Sequence, residues 1–290
     1  MGEKRELVDE TGLSRGFYSE RNRVNDLTGR EWVFWTRSVI TKPYPPDTQH
    51  ALRSRHGGQK PPRLCADLIR AFTKSGETIL DPFMGVGGAL LGASLAGRKA
   101  VGIEIDARWI EIYREVCAKE KLEQQEVVVA DAGEALAEMK GRMFDCVFTD
   151  VPYWKMDKAA RSRGAFKRVG EASRPARASK LSAFAAAEYA SKGDWLAHMG
   201  RVFSLAAGLL KPQGYLLTFI GDMYRDNQYH CLSAELAQVI SGVPGMVWKA
   251  NIVWYDVSKK LHLYGYQYSY IPSLIHQNVL VFRNEDPKGQ

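Results

Sequence analysis

A Rossmann-like, doubly wound α/β fold on a mostly parallel sheet, closed by an antiparallel C-terminal hairpin, is what this 290-residue sequence predicts. Three observations carry that expectation. Short apolar runs alternate with helically spaced stretches from residue 62 to residue 148, a rhythm that calls for parallel strands with helices on both faces. Carboxylates follow successive strand ends, at Asp81, Glu104 and Asp131. Two late apolar strands, Ala250 to Trp254 and Asn278 to Phe282, flank a long aromatic connection that suits a hairpin.

In chain order, residues 1–30 are polar and charge-rich and are expected to be loosely ordered or an arm, before a folded unit of residues 31–290. Trp32 to Ile40 is aromatic and apolar, and the turn-rich Lys42 to Asp47 follows. Leu64, Leu68, Ile69 and Phe72 share a helical face. Thr78 to Leu80 reads as a buried strand, Ala89 to Ala96 as a helix ended by Gly97, Ala100 to Glu104 as a strand and Trp109 to Lys119 as a helix. Val127 to Val129 and Cys146 to Phe148 add two strands. Later, Trp195 to Leu210 reads as a helix stopped by Lys211-Pro212-Gln213-Gly214, Tyr215 to Ile220 as a strand and Leu232 to Ile240 as a helix.

Composition narrows the function classes. At 45% hydrophobic the chain can bury a full core. Its net charge of +7 favours a polyanionic partner. Between residues 155 and 192, ten Lys/Arg face three acids, an excess equal to that of the whole chain. Such a basic insertion is expected to face nucleic acid. Cys65, Cys117, Cys146 and Cys231 lie far apart, so neither a disulfide framework nor a metal site is expected. The charged N-terminus lacks a signal-like apolar core, and the apolar stretch Val202 to Ile220 is broken at 211–214. No membrane span is expected, and the predicted location is cytoplasmic.

The segment Asp81-Pro82-Phe83-Met84-Gly85-Val86-Gly87-Gly88 reads as a strand end followed by a glycine turn and a helix N-terminus, where backbone can approach a ligand. A dinucleotide site would need a third glycine where Leu90 stands, and Asp81 would repel a pyrophosphate. A cation fits better, and S-adenosylmethionine carries a sulfonium and an ammonium. Glu104 is suited to accept from ribose hydroxyls, and Asp131 from an adenine amino group.

The run His56-Gly57-Gly58-Gln59-Lys60-Pro61, a helix, then Gly76-Glu77-Thr78-Ile79-Leu80-Asp81-Pro82-Phe83 resembles the amino-group DNA methyltransferase pattern H-x-x-x-K-P…G-D-x-V-L-D-P-F-x-G-x-G. That resemblance implies a class I methyltransferase domain that binds S-adenosylmethionine through Asp81, Phe83, Gly85, Gly87 and Glu104, and through Lys60 and Pro61. It also implies transfer of a methyl group to adenine-N6 or cytosine-N4 in DNA. The later segments Leu209 to Tyr215, Ile220 to Asp222, Ile252 to Trp254 and Val279 to Phe282 look like the family's remaining strands.

Sixty-nine positions after Asp81 comes Asp150-Val151-Pro152-Tyr153-Trp154. An exocyclic amine is a poor nucleophile because its lone pair is delocalised into the ring. Asp150 and the Val151 carbonyl could accept its two hydrogens, Pro152 restricts Val151, and Tyr153 and Trp154 offer faces for a flipped base. The family motif has Pro where Val151 stands, which predicts a less rigid site. Asp150 leans toward adenine-N6, whereas Thr149 and Trp154 are similar to cytosine-N4 enzymes. Tyr264 to Tyr270 is a second candidate DNA-facing surface. Competing readings are an RNA base methyltransferase, a non-catalytic nucleic-acid-binding protein on the same scaffold and a nicotinamide-dependent dehydrogenase.

Overall fold

The computed structural model describes residues 4–8, 12–154, 189–257, 259, 261 and 270–285. Most of the basic segment 155–192 and of the run Tyr264 to Tyr270 therefore lies outside the described residues. The chain opens with strands β1 (Lys4–Val8) and β2 (Ser14–Ser19), helix α1 (Gly29–Trp35), β3 (Val39–Ile40), α2 (His50–Arg53) and α3 (Pro62–Phe72). The predicted alternation follows as β4 (Thr78–Asp81), α4 (Gly88–Ala96), β5 (Lys99–Glu104), α5 (Ala107–Glu120), β6 (Glu126–Val129), α6 (Ala132–Glu138) and β7 (Phe144–Asp150). The last part comprises α7 (Lys192–Gly208), β8 (Leu210–Ile220), β9 (Met223–Arg225), β10 (Gln228–His230), α8 (Leu232–Ser241), β11 (Met246–Tyr255) and β12 (His276–Asn284).

Eight strands form one sheet in the order β3-β11-β12-β8-β7-β4-β5-β6. All neighbours are parallel except β12, which runs antiparallel to both β11 and β8. The expected antiparallel hairpin is thus present, and it pairs from Met246↔Asn284 to Tyr255↔His276. Strand alternation divides the core between two faces. Ile79, Cys146, Phe148, Leu217 and Val281 pack with Leu64, Leu90 and Tyr113 of α3, α4 and α5. Leu80, Val147, Leu216 and Phe282 pack with Leu136, Trp195, Phe203 and Leu236 of α6, α7 and α8. Burial on both sides is why these strands read as unbroken apolar runs. Because β5 lies on one side of β4 and β7 on the other, the chain reverses direction of winding at β4, and a crevice opens at the carboxyl ends there.

Two local expectations change. Lys211-Pro212-Gln213-Gly214 does not separate a helix from a strand; β8 already begins at Leu210, and the pairing jumps from Phe144↔Leu210 to Cys146↔Tyr215. The extra residues form a bulge in which Gln213 takes φ +65° and Gly214 lies against the Asp145 backbone. The polar N-terminal stretch expected to be loosely ordered contains the β1–β2 hairpin and is tied to the sheet's amino end. Arg15 grips Glu31 with two hydrogen bonds of 2.9 and 3.0 Å, and Thr28 and Glu31 form a capping box on α1. Buried Arg98 then joins Asp26 to Thr73, and Asn25 Nδ2 donates to Ala71 O at 2.6 Å. Among the described residues no helix is long and apolar enough to cross a membrane.

Gly87 is the backbone pivot between β4 and α4. It caps the helix at φ +74°, and a Cβ built there would meet the buried Tyr113 ring at 2.3 Å. Gly87→Ala combines left-handed strain with overpacking and should cost about 2–4 kcal/mol. Urea unfolding followed by circular dichroism measures it, and a wild-type midpoint would contradict the assigned constraint.

Candidate active site

The glycine turn after β4 brings three acidic strand ends to one cavity of about 300 Å³. Gly85 has φ +50°, and a Cβ there would press on the His56 ring at 3.0 Å. Its N–H donates to Glu104 Oε2 at 2.9 Å, and the Asp106 N–H donates to Glu104 Oε1 at 2.9 Å. Each oxygen keeps a second acceptor site. Burial raises the Glu104 carboxyl above its usual range, against the pull of these backbone donors. Asp131 caps α6, its Oδ1 accepting from Gly133 N at 2.8 Å and Glu134 N at 3.3 Å. Tyr189 and His198 stand beside it in the cavity wall, their rings 5.5 Å apart.

Asp81 is almost completely buried. Its Oδ1 accepts from Thr149 Oγ1 at 2.6 Å and from Phe83 N at 3.1 Å. Burial pushes its pKa up to about 7, opposed by those two hydrogen bonds and reinforced by the charges of Asp150 and Glu104. His56 packs edge-on against Trp109 at 4.9 Å, and burial lowers its pKa to about 4, which leaves the ring neutral at physiological pH.

At the end of β7, Asp150 Oδ2 accepts from the buried Lys60 ammonium. The other oxygen, Oδ1, is buried with no hydrogen-bond partner among the described residues. Burial raises the Asp150 carboxyl and Lys60 pulls it back down. Past Asp150 the chain is held from behind, because Trp195 Nε1 donates to Pro152 O at 2.8 Å. Gln277 Nε2 donates to the Tyr153 hydroxyl at 3.0 Å. Trp154 is buried edge-on against His230, 5.3 Å between rings.

Of the residues predicted from sequence, Lys60, Asp81, Phe83, Gly85, Glu104, Asp131, Asp150, Val151 and Pro152 line this cavity. Pro61, Gly87, Tyr153 and Trp154 do not. Pro61 caps α3, Gly87 is packed behind the wall, and the last two aromatics belong to the loop's packing. The Lys60 ammonium, on that cavity wall, pairs with Asp150. Sequence reasoning missed His56, Gln59, Thr149, Tyr189 and His198 as cavity residues. His56 and Gln59 lie inside the H-x-x-x-K-P motif, whereas Tyr189 and His198 carry no local signal.

The donor set fits S-adenosylmethionine. Among the described lining residues, Asp81, Glu104, Asp106, Asp131 and Asp150 face a single lysine, so the cavity favours a cation. Buried Asp150 Oδ1 and Gln59 Oε1 both lack protein partners in the described residues, which leaves acceptors for a ligand.

A family profile described as DNA methylase, of the N6/N4 type, matches residues 15–115. The tRNA (guanine(10)-N2)-dimethyltransferase of Methanothermobacter thermautotrophicus is 36% identical over 97 residues, which are 33% of this chain and 28% of that protein. The type II methyltransferase M2.DpnII of Streptococcus pneumoniae is 39% identical over 80 residues, 28% of each chain. The chain thus spans under a third of the length of the curated relatives it matches. In fold it is similar to TrmN from Thermus thermophilus, with a TM-score of 0.51 at 16% identity over 80% of this chain and 52% of that one. The family and the fold imply S-adenosylmethionine as cofactor. Residues 15–115 thus match the N6/N4 DNA methylase family model, on a chain with the class I methyltransferase fold.

Proposed function

We propose that the protein is an S-adenosylmethionine-dependent methyltransferase acting on an exocyclic amino group of a base in DNA, adenine-N6 or cytosine-N4. The observation that carries this reading is Asp150 Oδ1, a buried acceptor without a protein partner among the described residues, at a strand end of the acid-lined cavity. The cofactor supplies an electrophilic methyl group on its sulfonium. Asp150 accepts one amine hydrogen and so turns the nitrogen lone pair toward that methyl, with the Val151 carbonyl as second acceptor. Asp81 and the neighbouring acids would hold the positive end of the cofactor, Glu104 its ribose and Asp131 its adenine. Transfer of that methyl from sulfur to nitrogen would leave the positive charge on the amine beside Asp150. Asp150 would receive the proton that the methylated amine must shed.

A second reading, an amino group of an RNA base such as guanine-N2, is favoured by the 36% identity to the tRNA dimethyltransferase. Transfer of tritiated methyl groups to unmethylated plasmid DNA and to bulk tRNA, followed by nucleoside analysis, decides between them. Label in neither polymer would refute both. The segment 155–192 is proposed as the main phosphate-binding surface, on its charge alone. Neutralising Arg161, Arg163, Lys167 and Arg168 should weaken binding to every sequence and reduce the salt slope by roughly one for each phosphate no longer neutralised. An unaltered slope would put the phosphate-binding surface elsewhere.

Cofactor affinity should depend on pH through Asp81. Its folded value of about 7 lies above the usual 3.8. The Asp81-linked stability of the apoprotein is therefore complete below about pH 4 and lost as pH rises through about 7. A bound cation favours the ionised carboxylate, so binding should release a proton at pH 6 and affinity should rise until about pH 7, then level off. Calorimetry in two buffers at pH 6 and pH 8 measures this, with Asp81→Asn expected to abolish the proton release. A wild-type affinity independent of pH would refute the assignment.

Asp150→Ala should leave cofactor affinity within about threefold while lowering turnover by about 100-fold or more, the usual loss of one well-placed acceptor. Full turnover in Asp150→Ala would remove the catalytic reading of this strand end.

A further inference from the structure

The resemblance to the methyltransferase family implies a cofactor role for Lys60, yet its contacts are with the opposite half of the cavity. Its ammonium meets Asp150 Oδ2 and lies 5.3 Å from the centre of the Phe219 ring. Only 8% of the Lys60 side chain remains exposed, against 26% for Asp150, so the cation is more enclosed than the acid it serves. A buried ammonium is costly unless it is paired, and this one has a carboxylate and an aromatic face.

The main chain at Lys60 is equally constrained. Fully buried Arg53 donates to Thr48 O at 2.7 Å, to Asp47 O at 3.0 Å and, through Nη1, to Lys60 O at 3.0 Å. Pro61 restricts Lys60 to extended backbone and caps α3. On the other side, a Cβ on Gly88 would lie 3.3 Å from Lys60 O, so the first residue of α4 packs directly against it. Three separate elements thus fix the base of a side chain whose tip ends on one oxygen of Asp150. A lysine meant only to neutralise local charge would need none of this.

We propose that Lys60 is the positioning residue of Asp150: by holding Oδ2, it fixes the carboxylate so that Oδ1 is presented to the target amine. The proposal rests on the reading of Asp150 as the amine acceptor and assigns it a specific partner. Two consequences follow from the geometry. With Lys60 removed, Asp150 can rotate and offer either oxygen to water, so the near-attack alignment is lost while the cofactor's own acids stay in place. The carboxylate also loses its counter-ion inside a buried site, so it should take up a proton at higher pH. Among the described residues, the other ionisable groups that act on this pair include Asp81, Cys65, Tyr153, His56 and Lys259. All five persist in a Lys60 variant, so a change in the Asp150 titration reports on Lys60.

The experiment uses the full chain with Lys60→Met, Lys60→Arg and Asp150→Ala, each checked for folding by circular dichroism. Three quantities are measured. S-adenosylmethionine affinity is read by calorimetry. Turnover is followed from pH 5.5 to 9 at saturating cofactor, with bulk tRNA and unmethylated plasmid DNA as methyl acceptors. The Asp150 carboxyl is titrated in the apoprotein by carbon-13 NMR, its signal identified by its loss in Asp150→Ala.

Lys60→Met should bind cofactor within about threefold of wild type, turn over about 100-fold more slowly at pH 7 and shift the acidic limb and the Asp150 midpoint upward by about one pH unit or more. Lys60→Arg keeps the charge and should restore the titration and most of the turnover. Should Lys60→Met be unfolded, the lysine-to-arginine change still tests the idea, because an arginine that restores folding but leaves turnover as low as in Asp150→Ala with a displaced titration overturns it. A Lys60→Met protein that loses cofactor affinity tenfold, yet keeps wild-type turnover at saturation and an unmoved Asp150 midpoint, makes Lys60 a cofactor ligand and overturns the proposal. An active Asp150→Ala overturns the reading beneath it, whereas an inactive Asp150→Ala beside an unmoved midpoint in Lys60→Met overturns the positioning role alone.

Discussion

Asp81, Glu104 and Asp150 end three adjacent parallel strands and face one small cavity, and Asp81, on the strand between the other two, feels both of their charges. Like charges gathered in a buried site are costly unless something compensates. Much of the surrounding structure is that compensation. Glu104 takes the N–H groups of Gly85 and Asp106, Asp81 that of Phe83, and Asp131 those of Gly133 and Glu134. Each acid is met by backbone within a few residues of a strand end. These backbone donors hold the three carboxylates without help from a ligand.

The glycine turn belongs to the same constraint. Gly85 can give its N–H to Glu104 only at positive φ, and only without a side chain, since His56 occupies the space a Cβ would need. Gly87 repeats the condition one step later against Tyr113. These two glycines therefore serve the protein's own packing and charge balance first. Their value to a ligand comes from the acceptors they orient and from the close approach of backbone that they allow.

How much of this could be read beforehand depended on how local the cause was. The acids at Asp81, Glu104, Asp131 and Asp150 were legible because a carboxylate directly after an apolar run marks a strand end, and adjacent parallel strands bring such ends together. The helix bounds of α3, α4 and α8 were legible from apolar spacing, from Gly97 and from the apolar start at Leu232. The bulge in β8 was not, because Pro212 and Gly214 are as typical of a turn between elements as of a kink within one. Nor was the pairing of Lys60 with Asp150, which lie 90 positions apart and meet only because α3 and β7 flank the same cavity. The buried state of Trp154 likewise rests on distant His230 and on the face that carries Trp195.

Val151 shows how the loop after β7 keeps its shape without the proline of the motif it resembles. Its side chain is buried among Trp195 and other residues on the α7 face of the sheet, so the residue is anchored by packing instead of by a ring. The next carbonyl is then taken by Trp195 Nε1, and the Tyr153 hydroxyl by Gln277. Three contacts from α7, β12 and the core thus replace one local restriction. The expected loss of rigidity at Val151 need not arise, because the conformation of a short loop can be over-determined from outside as well as by its own dihedral limits. The aromatics after Asp150 pack as struts for that loop, while Asp150 itself stays on the cavity wall.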